Sequence, residues 1–392
     1  MRRYLAAMAL FCGVLRAETV LVLPFFNHSK PDLDWIGESI SESMHDSLAS
    51  EGLLVLDRAD RLEAYRRLSL RTGAELTHAS VIKIGQSLDA STVIYGYFEV
   101  TPPPAGKEAG AGSLQVSARI LDLKHLRQFP EFTEVRALQD LAPLEAHLAW
   151  RALQYLNPKG APDEQAFMRD RPRVRLDAVE SYIRGLLAQN PEQRQRFFAQ
   201  AARLDEHYSQ PCFQLGMSYW VNKDYQAAAM WLARVDRSNP HYLEAQFFLG
   251  LCWYSSGDFA GAEHAFQLVA SSVPLNEVYN NLGAAQNRLN NTAGAIANFQ
   301  KALEGDSSDP DYHYNLGYAY WKAGKFAEAV TSLRSAVERD PHDAEATALL
   351  GRALKRDAPH PGDPRSEGRE RLKTNYDEAA YRQLQAELQS QQ

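Results

Sequence analysis

Two kinds of hydrophobic pattern divide the chain into an amino-terminal and a carboxyl-terminal half. In the first half, residues 19–27, 52–58 and 91–100 are apolar runs rich in β-branched residues, which predicts buried strands. Between these runs, apolar residues recur every four positions, as from Ile36 to Leu48, which predicts helices. The second half shows helical spacing only. The pattern therefore predicts an α/β (or α+β) N-terminal domain followed by an all-α domain.

Capping and turn residues mark the limits of the elements in the first half. Asp34 and Thr77 each precede a helical pattern and are predicted N-caps. Residues 101–112 are rich in proline and glycine, so the strands before and after them should form a hairpin around an exposed loop. A helix over residues 143–156 is predicted to close the domain.

A Leu-Gly pair recurs through the second half at intervals of 34, 33, 34 and 34 residues. Its members are Leu215-Gly216, Leu249-Gly250, Leu282-Gly283, Leu316-Gly317 and Leu350-Gly351. An alanine follows each of the first four glycines after twelve residues, and a leucine or phenylalanine follows that alanine after four. We interpret each unit as a helical hairpin in which glycine allows the two helices to approach closely. Stacked hairpins would bury one another's apolar faces.

This pattern resembles the tetratricopeptide repeat (TPR), whose units run about 34 residues. The resemblance implies an all-α solenoid of about five units plus a half. The predicted boundaries are a signal peptide at 1–17, the α/β domain at 18–156, a linker at 157–175, the solenoid at 176–355, and a polar linker with a C-terminal capping helix at 356–392. The capping helix is expected to begin near Arg371.

The resemblance also implies a concave groove that is lined by the first helix of each unit. The residues carried over to this groove are Phe213, Gln214, Met217, Trp220, Phe247, Leu251, Tyr254, Asn281, Arg288, Asn315, Tyr318, Trp321 and Lys322. The aromatic half of this surface is expected to bind a partner or to be covered by another part of the chain. In the family, residues placed as Asn281 and Asn315 commonly hydrogen-bond an extended peptide; the alternative is two solvated asparagines.

The N-terminal half resembles the TolB amino-terminal-like domain, which is related to curli and flagellar assembly factors. The matching motifs are LPFFN at residues 23–27, the helical segment at 36–50, LLVLDR at 53–58, and the segment at 84–100. The resemblance implies an envelope-associated binding or assembly role, and it implies no chemistry.

Residues 1–17 have the layout of a secretory signal peptide, with Arg2 and Arg3 before an apolar stretch and Ala17 at a plausible cleavage point. The protein is therefore expected in the periplasm or outside the cell; the alternative is a cytosolic protein without a cleaved leader. The apolar stretch is shorter than the roughly 20 residues that a membrane-spanning helix needs, so no transmembrane span is predicted. Cys212 and Cys252 should be buried free thiols.

The sequence contains none of the common catalytic, nucleotide-binding or zinc motifs, so we predict no enzyme activity, no cofactor and no metal site. Glu38, Glu42 and Asp46 share one side of a helix, and such a run is usually a solvated face. The formal charge of -7 disfavours nucleic acid as a partner.

These expectations combine into one predicted function and two alternatives. The predicted function is a non-enzymatic periplasmic or secreted interaction module. Its groove would bind a partner peptide or protein, and its N-terminal domain would dock to envelope machinery in a complex. The alternatives are a small-ligand sensor that acts through the α/β domain and a cytosolic TPR regulatory adaptor.

Overall fold

A computed structural model describes residues 19–102, 112–169, 171, 173–360, 362–363, 366–377, 379–381 and 384. A mixed β-sheet with helices on both faces forms the first half, and paired helices form the second. The predicted fold class is thus confirmed. The predicted signal peptide and nearly all of the loop at 101–112 lie outside the described residues.

The sheet is built around two long central strands. Its strands are β1 (Thr19–Val22), β2 (Phe26–Asn27), β3 (Leu54–Val55), β4 (Thr92–Thr101), β5 (Ser113–Asp122), β6 (Arg127–Gln128) and β7 (Phe132–Ala137). β1 pairs in parallel with β3 and β4, and β2 also pairs in parallel with β4. β5 runs antiparallel to β4, β6 and β7. The predicted hairpin of the two long strands is confirmed, whereas β6 and β7 were not predicted.

The segment at residues 19–27 is not one continuous strand, because the chain leaves the sheet ladder at Pro24. Proline has no N–H to donate, and the next residue, Phe25, donates its N–H to the carbonyl of Gly37 at 3.1 Å. Pairing resumes at Phe26. This interruption brings the strand backbone against the first helix.

Two pairs of helices cover the two faces of the sheet. One face packs against α1 (Trp35–Ser50) and α4 (Leu141–Leu156), and the other packs against α2 (Arg58–Arg67) and α3 (His78–Ser87). Thr77 caps α3 as predicted, since its hydroxyl accepts a hydrogen bond from Ser80 N at 3.2 Å. Asp34 makes no side-chain cap. Its carboxylate instead accepts a hydrogen bond from Asn27 Nδ2 at 2.7 Å, so Asp34 stands at the predicted N-cap position but its side chain does not cap the helix.

The row of carboxylates on α1 is not a solvated face. Glu38 is only 8% exposed and accepts a hydrogen bond from Arg58 Nε at 2.6 Å. Arg61, which is buried, binds both Glu38 and Glu42. Both arginines come from α2, so the pattern of α1 alone could not reveal them. Because a buried carboxylate needs a paired cation, these contacts fix α2 against α1.

Helices that pack as consecutive pairs make up the second half of the chain. They are α6 (Leu176–Leu187) with α7 (Pro191–Leu204), α8 (Gln210–Val221) with α9 (Tyr225–Leu232), α10 (Tyr242–Ser255) with α11 (Phe259–Ser272), α12 (Asn276–Arg288) with α13 (Thr292–Gly305), and α14 (Pro310–Lys322) with α15 (Phe326–Arg339), followed by α16 (Ala344–Leu354). The second helix of each pair also contacts the first helix of the next unit, as a solenoid requires.

The recurring glycine of each unit meets the recurring bulky residue of the same unit. A Cβ built on each glycine would lie 2.5 to 2.8 Å from the partner side chain, and the pairs are Gly216 with Leu232, Gly250 with Phe266, Gly283 with Phe299, and Gly317 with Leu333. Any larger residue at these positions would push the paired helices apart. The predicted reason for glycine at this position is confirmed.

The predicted linker contains a helix that packs on the N-terminal domain. This helix, α5 (Glu164–Arg169), buries Phe167 in the main hydrophobic cluster. The guanidinium of Arg171 lies 3.3 Å from the centre of the Phe167 ring. It also donates to Ser47 O and to the carboxylate of Glu51 near the end of α1. This segment therefore anchors the start of the solenoid to α1.

Two further predictions concern cysteines and membranes. Cys212 and Cys252 are buried free thiols, as expected, and burial raises the pKa of Cys252 to about 12. Over the described part of the chain, no helix combines the length and the apolar character needed to span a bilayer.

Candidate peptide-binding groove

The chain's own residues 366–377, which we call the strap, lie along the groove face formed by the first helix of successive units. The strap runs opposite to the order of the units. At one end, Tyr318 Oη donates to Ser366 O at 2.7 Å. At the other end, the ring of Tyr376 packs edge-on against Phe247, with ring centres 5.0 Å apart. The groove is thus filled from within the same molecule.

The capping helix predicted to begin near Arg371 does not begin there. Residues 371–377 contain no helical residues, and the described helical residues follow at 379–381 and 384. The reason is that backbone groups of the strap are hydrogen-bonded to side chains of the solenoid, which leaves them unable to form helical bonds. The remainder of the predicted helix lies outside the described residues.

Two asparagines bind the strap backbone with both polar groups of their amides. Asn315 Nδ2 donates to Arg371 O at 2.7 Å, and its Oδ1 accepts from Arg371 N at 2.8 Å. Asn281 makes the same two bonds to Lys373, at 2.7 and 2.8 Å. Both asparagines are fully buried. An amide side chain suits this task because it offers a donor and an acceptor side by side.

Repeat geometry explains why these two asparagines act on alternate residues of the strap. Asn281 and Asn315 each precede the leucine of a Leu-Gly pair, so they occupy the same position on α12 and α14. Arg371 and Lys373 are two residues apart, and residues at that spacing present their backbone groups to the same side of an extended chain. One solenoid unit therefore matches two residues of the bound segment.

A third asparagine ties the two sites together. Asn280 Nδ2 donates to Arg371 O at 2.8 Å, and its Oδ1 accepts from Asn315 Nδ2 at 2.8 Å. Asn280 is fully buried too. The three amides form a connected network, which holds the side chains in the orientation that binds the strap.

Acidic side chains surround the arginine of the strap. Arg371 makes a two-pronged contact with Asp343, with N–O distances of 2.6 and 2.9 Å. It also donates to Asp311 at 3.1 Å, and its guanidinium lies 3.6 Å from the centre of the Tyr314 ring. Burial raises the pKa of Asp343, but the hydrogen bond and the charge of Arg371, together with hydrogen bonds from backbone N–H groups at the start of α16, lower the pKa overall.

The lysine of the strap has a separate acidic pocket. Lys373 Nζ lies 2.7 Å from a carboxylate oxygen of Asp309 and 2.8 Å from one of Asp311. It lies 5.2 Å from the centre of the Tyr312 ring. Although burial lowers the pKa of Lys373, these two carboxylates raise it overall. Asp311 joins the two pockets because it contacts both cations.

The strap also carries a buried acid that faces basic and amide groups. Glu370 accepts a hydrogen bond from Asn287 Nδ2 at 2.8 Å and one from Tyr254 Oη at 3.3 Å. Arg288 Nη1 lies 4.0 Å from its second oxygen. Lys322 Nζ donates to the carbonyl of Asn287 at 2.8 Å and so supports the same site.

The predicted groove residues fall into three groups. Those in contact with the strap are Phe247, Tyr254, Asn281, Arg288, Asn315 and Tyr318. Lys322 and Trp321 lie behind them, and Trp321 Nε1 donates to Asp357 O at 2.6 Å. The others, which pack within the first units, are Phe213, Gln214, Met217, Trp220 and Leu251. Phe213, for example, stacks on His241 with ring centres 4.4 Å apart.

The acidic pockets were missed from the sequence, although a signal was present. Asp309 and Asp343 are 34 residues apart, as are Asp311 and Glu345. Asp309 and Asp343 cap α14 and α16, so helix capping alone explains each residue when its own unit is considered by itself. The repeat register, however, places all four acids beside the groove, where a basic segment could be recognised.

A cavity of about 970 Å³ lies between the N-terminal domain and the first units of the solenoid. Its lining includes Glu145, Tyr182, Tyr208 and Tyr376. Glu145 is 2% exposed and accepts a hydrogen bond from Ser39 Oγ at 2.6 Å. Burial raises its pKa to about 8, although the hydroxyls of Ser39 and Ser43 partly counteract this.

Glu145→Gln is expected to remove part of the pH dependence of stability. Because the folded-state pKa of Glu145 is raised from 4.5 to about 8, the folded state binds the extra proton between these values. The free energy of unfolding of the wild type should therefore fall as the pH rises from 4.5 to 8. The free energy of unfolding of the glutamine variant should fall less over this range. At pH 8 the variant should be more stable than the wild type by on the order of a few kcal/mol.

Urea unfolding of both proteins at pH 5 and pH 8 measures this difference, and Glu99→Gln, at an exposed position of β4, is the control. A variant that follows the wild type at both pH values would contradict the assignment.

Comparison with known proteins identifies the repeats. Family models described as "TPR repeat" and "Tetratricopeptide repeat" match residues 287–324 and residues 213–277 and 314–357, respectively. A curated relative, the "Anaphase-promoting complex subunit CDC16" of Saccharomyces cerevisiae, is 36% identical over 87 residues, which is 21% of this chain. The chain spans about a tenth of the length of that relative.

Solved structures with helical repeats are also similar to part of the chain. "YrrB: a TPR protein with an unusual peptide-binding site" is 18% identical with a TM-score of 0.42, covering 53% of this chain and 98% of that one. "MamA 41-end from Desulfovibrio magneticus RS-1" is 21% identical with a TM-score of 0.38, covering 43% and 95%. On the family matches and its own repeating helices, the chain contains tetratricopeptide repeats.

Proposed function

We propose that this protein is a non-enzymatic peptide-binding module whose solenoid groove binds an extended segment of a partner protein. The observation that carries the proposal is the pair of two-way hydrogen bonds from Asn281 and Asn315 to backbone groups of the strap. Backbone groups are common to all peptides, so the same amides would hold a segment of another protein. In the absence of a partner, the strap occupies the site.

We further propose that the protein works in the cell envelope. The support is the signal-peptide layout of residues 1–17 and the resemblance of the N-terminal half to TolB amino-terminal-like domains. In this proposal the N-terminal domain docks to envelope machinery while the groove binds the partner. The N-terminal residue and cell fraction of the native protein provide the test. A start at Glu18 in the envelope fraction is expected, and an intact Met1 in the cytosol would favour the cytosolic adaptor.

A synthetic peptide with the sequence of residues 366–377 tests the binding function. The full-length variant Arg371→Ala/Lys373→Ala weakens the binding of the strap to the groove but leaves every groove residue in place. Faster hydrogen exchange of residues 366–377 first verifies that the strap is released. We expect the labelled peptide to bind this variant at least about tenfold more tightly than the wild type, because the intact strap competes.

The control adds Asn281→Ala and Asn315→Ala to the released variant. Binding should then be lost, since the backbone of the peptide has no remaining reciprocal partners on α12 and α14. If the peptide fails to bind the variant whose strap is shown to be released, the groove is not a peptide site and the proposed function is wrong.

A further inference from the structure

Two pockets in the groove are built for cations, and among the described residues only the strap supplies those cations. Their carboxylates come from Asp309, Asp311, Asp343 and Glu345, at the N-terminal ends of α14 and α16. Within the described residues, every ion pair of these four acids is made to the strap, through Arg369, Arg371 and Lys373. Without an occupant, four like charges would face one another on a partly buried surface, which is unfavourable.

The two pockets differ in shape and so distinguish their occupants. At Arg371 the carboxylate of Asp343 receives two parallel N–H bonds, while the ring of Tyr314 stacks under the guanidinium at 3.6 Å. A carboxylate that accepts two parallel bonds and an aromatic ring that stacks on a planar group fit the guanidinium of arginine better than the ammonium of lysine. At Lys373 the carboxylates of Asp309 and Asp311 converge on one point charge.

The asparagines set the register that brings side chains to these pockets. Asn315 binds both backbone groups of Arg371, and Asn281 binds both of Lys373. The residue between them, Leu372, packs against the apolar cluster of the neighbouring units. A bound segment must therefore present basic, apolar and basic residues in succession, because a shift by one residue would place an apolar side chain among the carboxylates.

A fourth position gives the sequence a direction. Glu370, which precedes the first basic residue, has a fully buried side chain beside Asn287, Tyr254 and Arg288. An acid is favoured here by the guanidinium and by the two hydrogen-bond donors. A segment with basic residues alone would place a third cation against Arg288.

We propose that the groove selects partner segments with the order acidic, arginine, apolar, lysine. This inference rests on the proposed function, and it adds which protein segments the groove would bind. The strap, with Glu370, Arg371, Leu372 and Lys373, is the internal copy of that sequence. A partner would bind by presenting the same order in an extended segment and replacing the strap.

The test measures the affinities of a series of peptides for the full-length variant Arg371→Ala/Lys373→Ala. The reference peptide has the sequence of residues 366–377, and the others carry Arg371→Ala, Arg371→Lys, Lys373→Ala or Glu370→Lys. We expect each alanine peptide and the Glu370→Lys peptide to bind about tenfold to a hundredfold more weakly, because each loses a charge-assisted contact. The Arg371→Lys peptide should lie between these and the reference. Thr374→Ala, at an exposed position, should stay within about twofold.

A double-mutant cycle assigns the arginine preference to its pocket. Asp343→Asn in the chain keeps the helix cap, because asparagine caps as well as aspartate does. On this background, the Arg371→Ala peptide should lose much less affinity relative to the reference peptide. Equal losses on both backgrounds would place the preference elsewhere and overturn the proposal.

Three outcomes separate this proposal from the proposed function. If all peptides, including Glu370→Lys and both alanine variants, bind equally well, the groove binds peptides without this selectivity and the present inference alone fails. If no peptide binds a chain whose strap is released, the proposed function itself fails. If the strap of Arg371→Ala/Lys373→Ala exchanges hydrogen no faster than in the wild type, the acidic pockets do not hold it and the inference is wrong.

Discussion

Gly37→Ala is expected to lower the free energy of unfolding of the N-terminal domain by about 3 kcal/mol. Gly37 lies in the first turn of α1, where its carbonyl accepts the hydrogen bond from Phe25 N. A Cβ on Gly37 would lie 2.0 Å from Phe25 O and 3.0 Å from Phe25 C. These atoms belong to the backbone and cannot rotate away, so the helix would have to move off the sheet.

Urea unfolding and hydrogen exchange of β1 and α1 measure this effect. The matched control is Gly351→Ala in α16, where an added Cβ meets nothing within 4 Å. Alanine is favoured over glycine in a helix by about 1 kcal/mol, so this control should be unchanged or slightly more stable. Equal urea midpoints for Gly37→Ala and the wild type would refute the close approach of α1 to Phe25.

The double variant Asn281→Ala/Asn315→Ala is expected to release the strap. It removes four hydrogen bonds to the strap backbone at Arg371 and Lys373. Such bonds contribute about 1 kcal/mol each, so the open population should rise by about a hundredfold even with incomplete additivity. Trypsin cleaves after both Arg371 and Lys373, and its initial rate at these bonds reports the open population.

Asn222→Ala serves as the control for this variant, because Asn222 is an exposed asparagine at the end of α8. Its cleavage rate at the strap should match the wild type. If the double variant is cleaved no faster than the control, the strap is held by other contacts and the two asparagines do not govern its binding.

The solenoid could be predicted because the residues that pack its helices lie close together in the sequence and recur in each unit. Each glycine and its bulky partner lie 16 residues apart in the sequence, as in Gly216 with Leu232, and the pair recurs with the same register in each unit. Because this pair occurs four times at the same spacing, it indicates a packing requirement and not a chance match. The positions of Asn281 and Asn315 could be predicted for the same reason, since both precede the leucine of a Leu-Gly pair.

The strap and the acidic pockets could not be predicted, because their contacts span long distances in the sequence. Lys373 is held by Asn281, 92 residues earlier, and nothing in the local pattern around Lys373 indicates this. The charged residues from Arg371 onward are compatible with an exposed helix, and only the asparagines and acids across the groove favour an extended backbone. Likewise, Glu38 could be recognised as buried only with Arg61 in view.

The attachment of the strap to the same chain has a consequence for competition and assembly. Residues 355–370 connect α16 to Arg371, so the strap is present at its own groove at an effective concentration of about a millimolar. A free segment of equal intrinsic affinity must approach that concentration to displace half of the straps. A strap from a second copy of the chain must also compete with this effective concentration. Exchange of straps between two molecules should therefore appear only in millimolar solutions, or where copies are crowded on a surface.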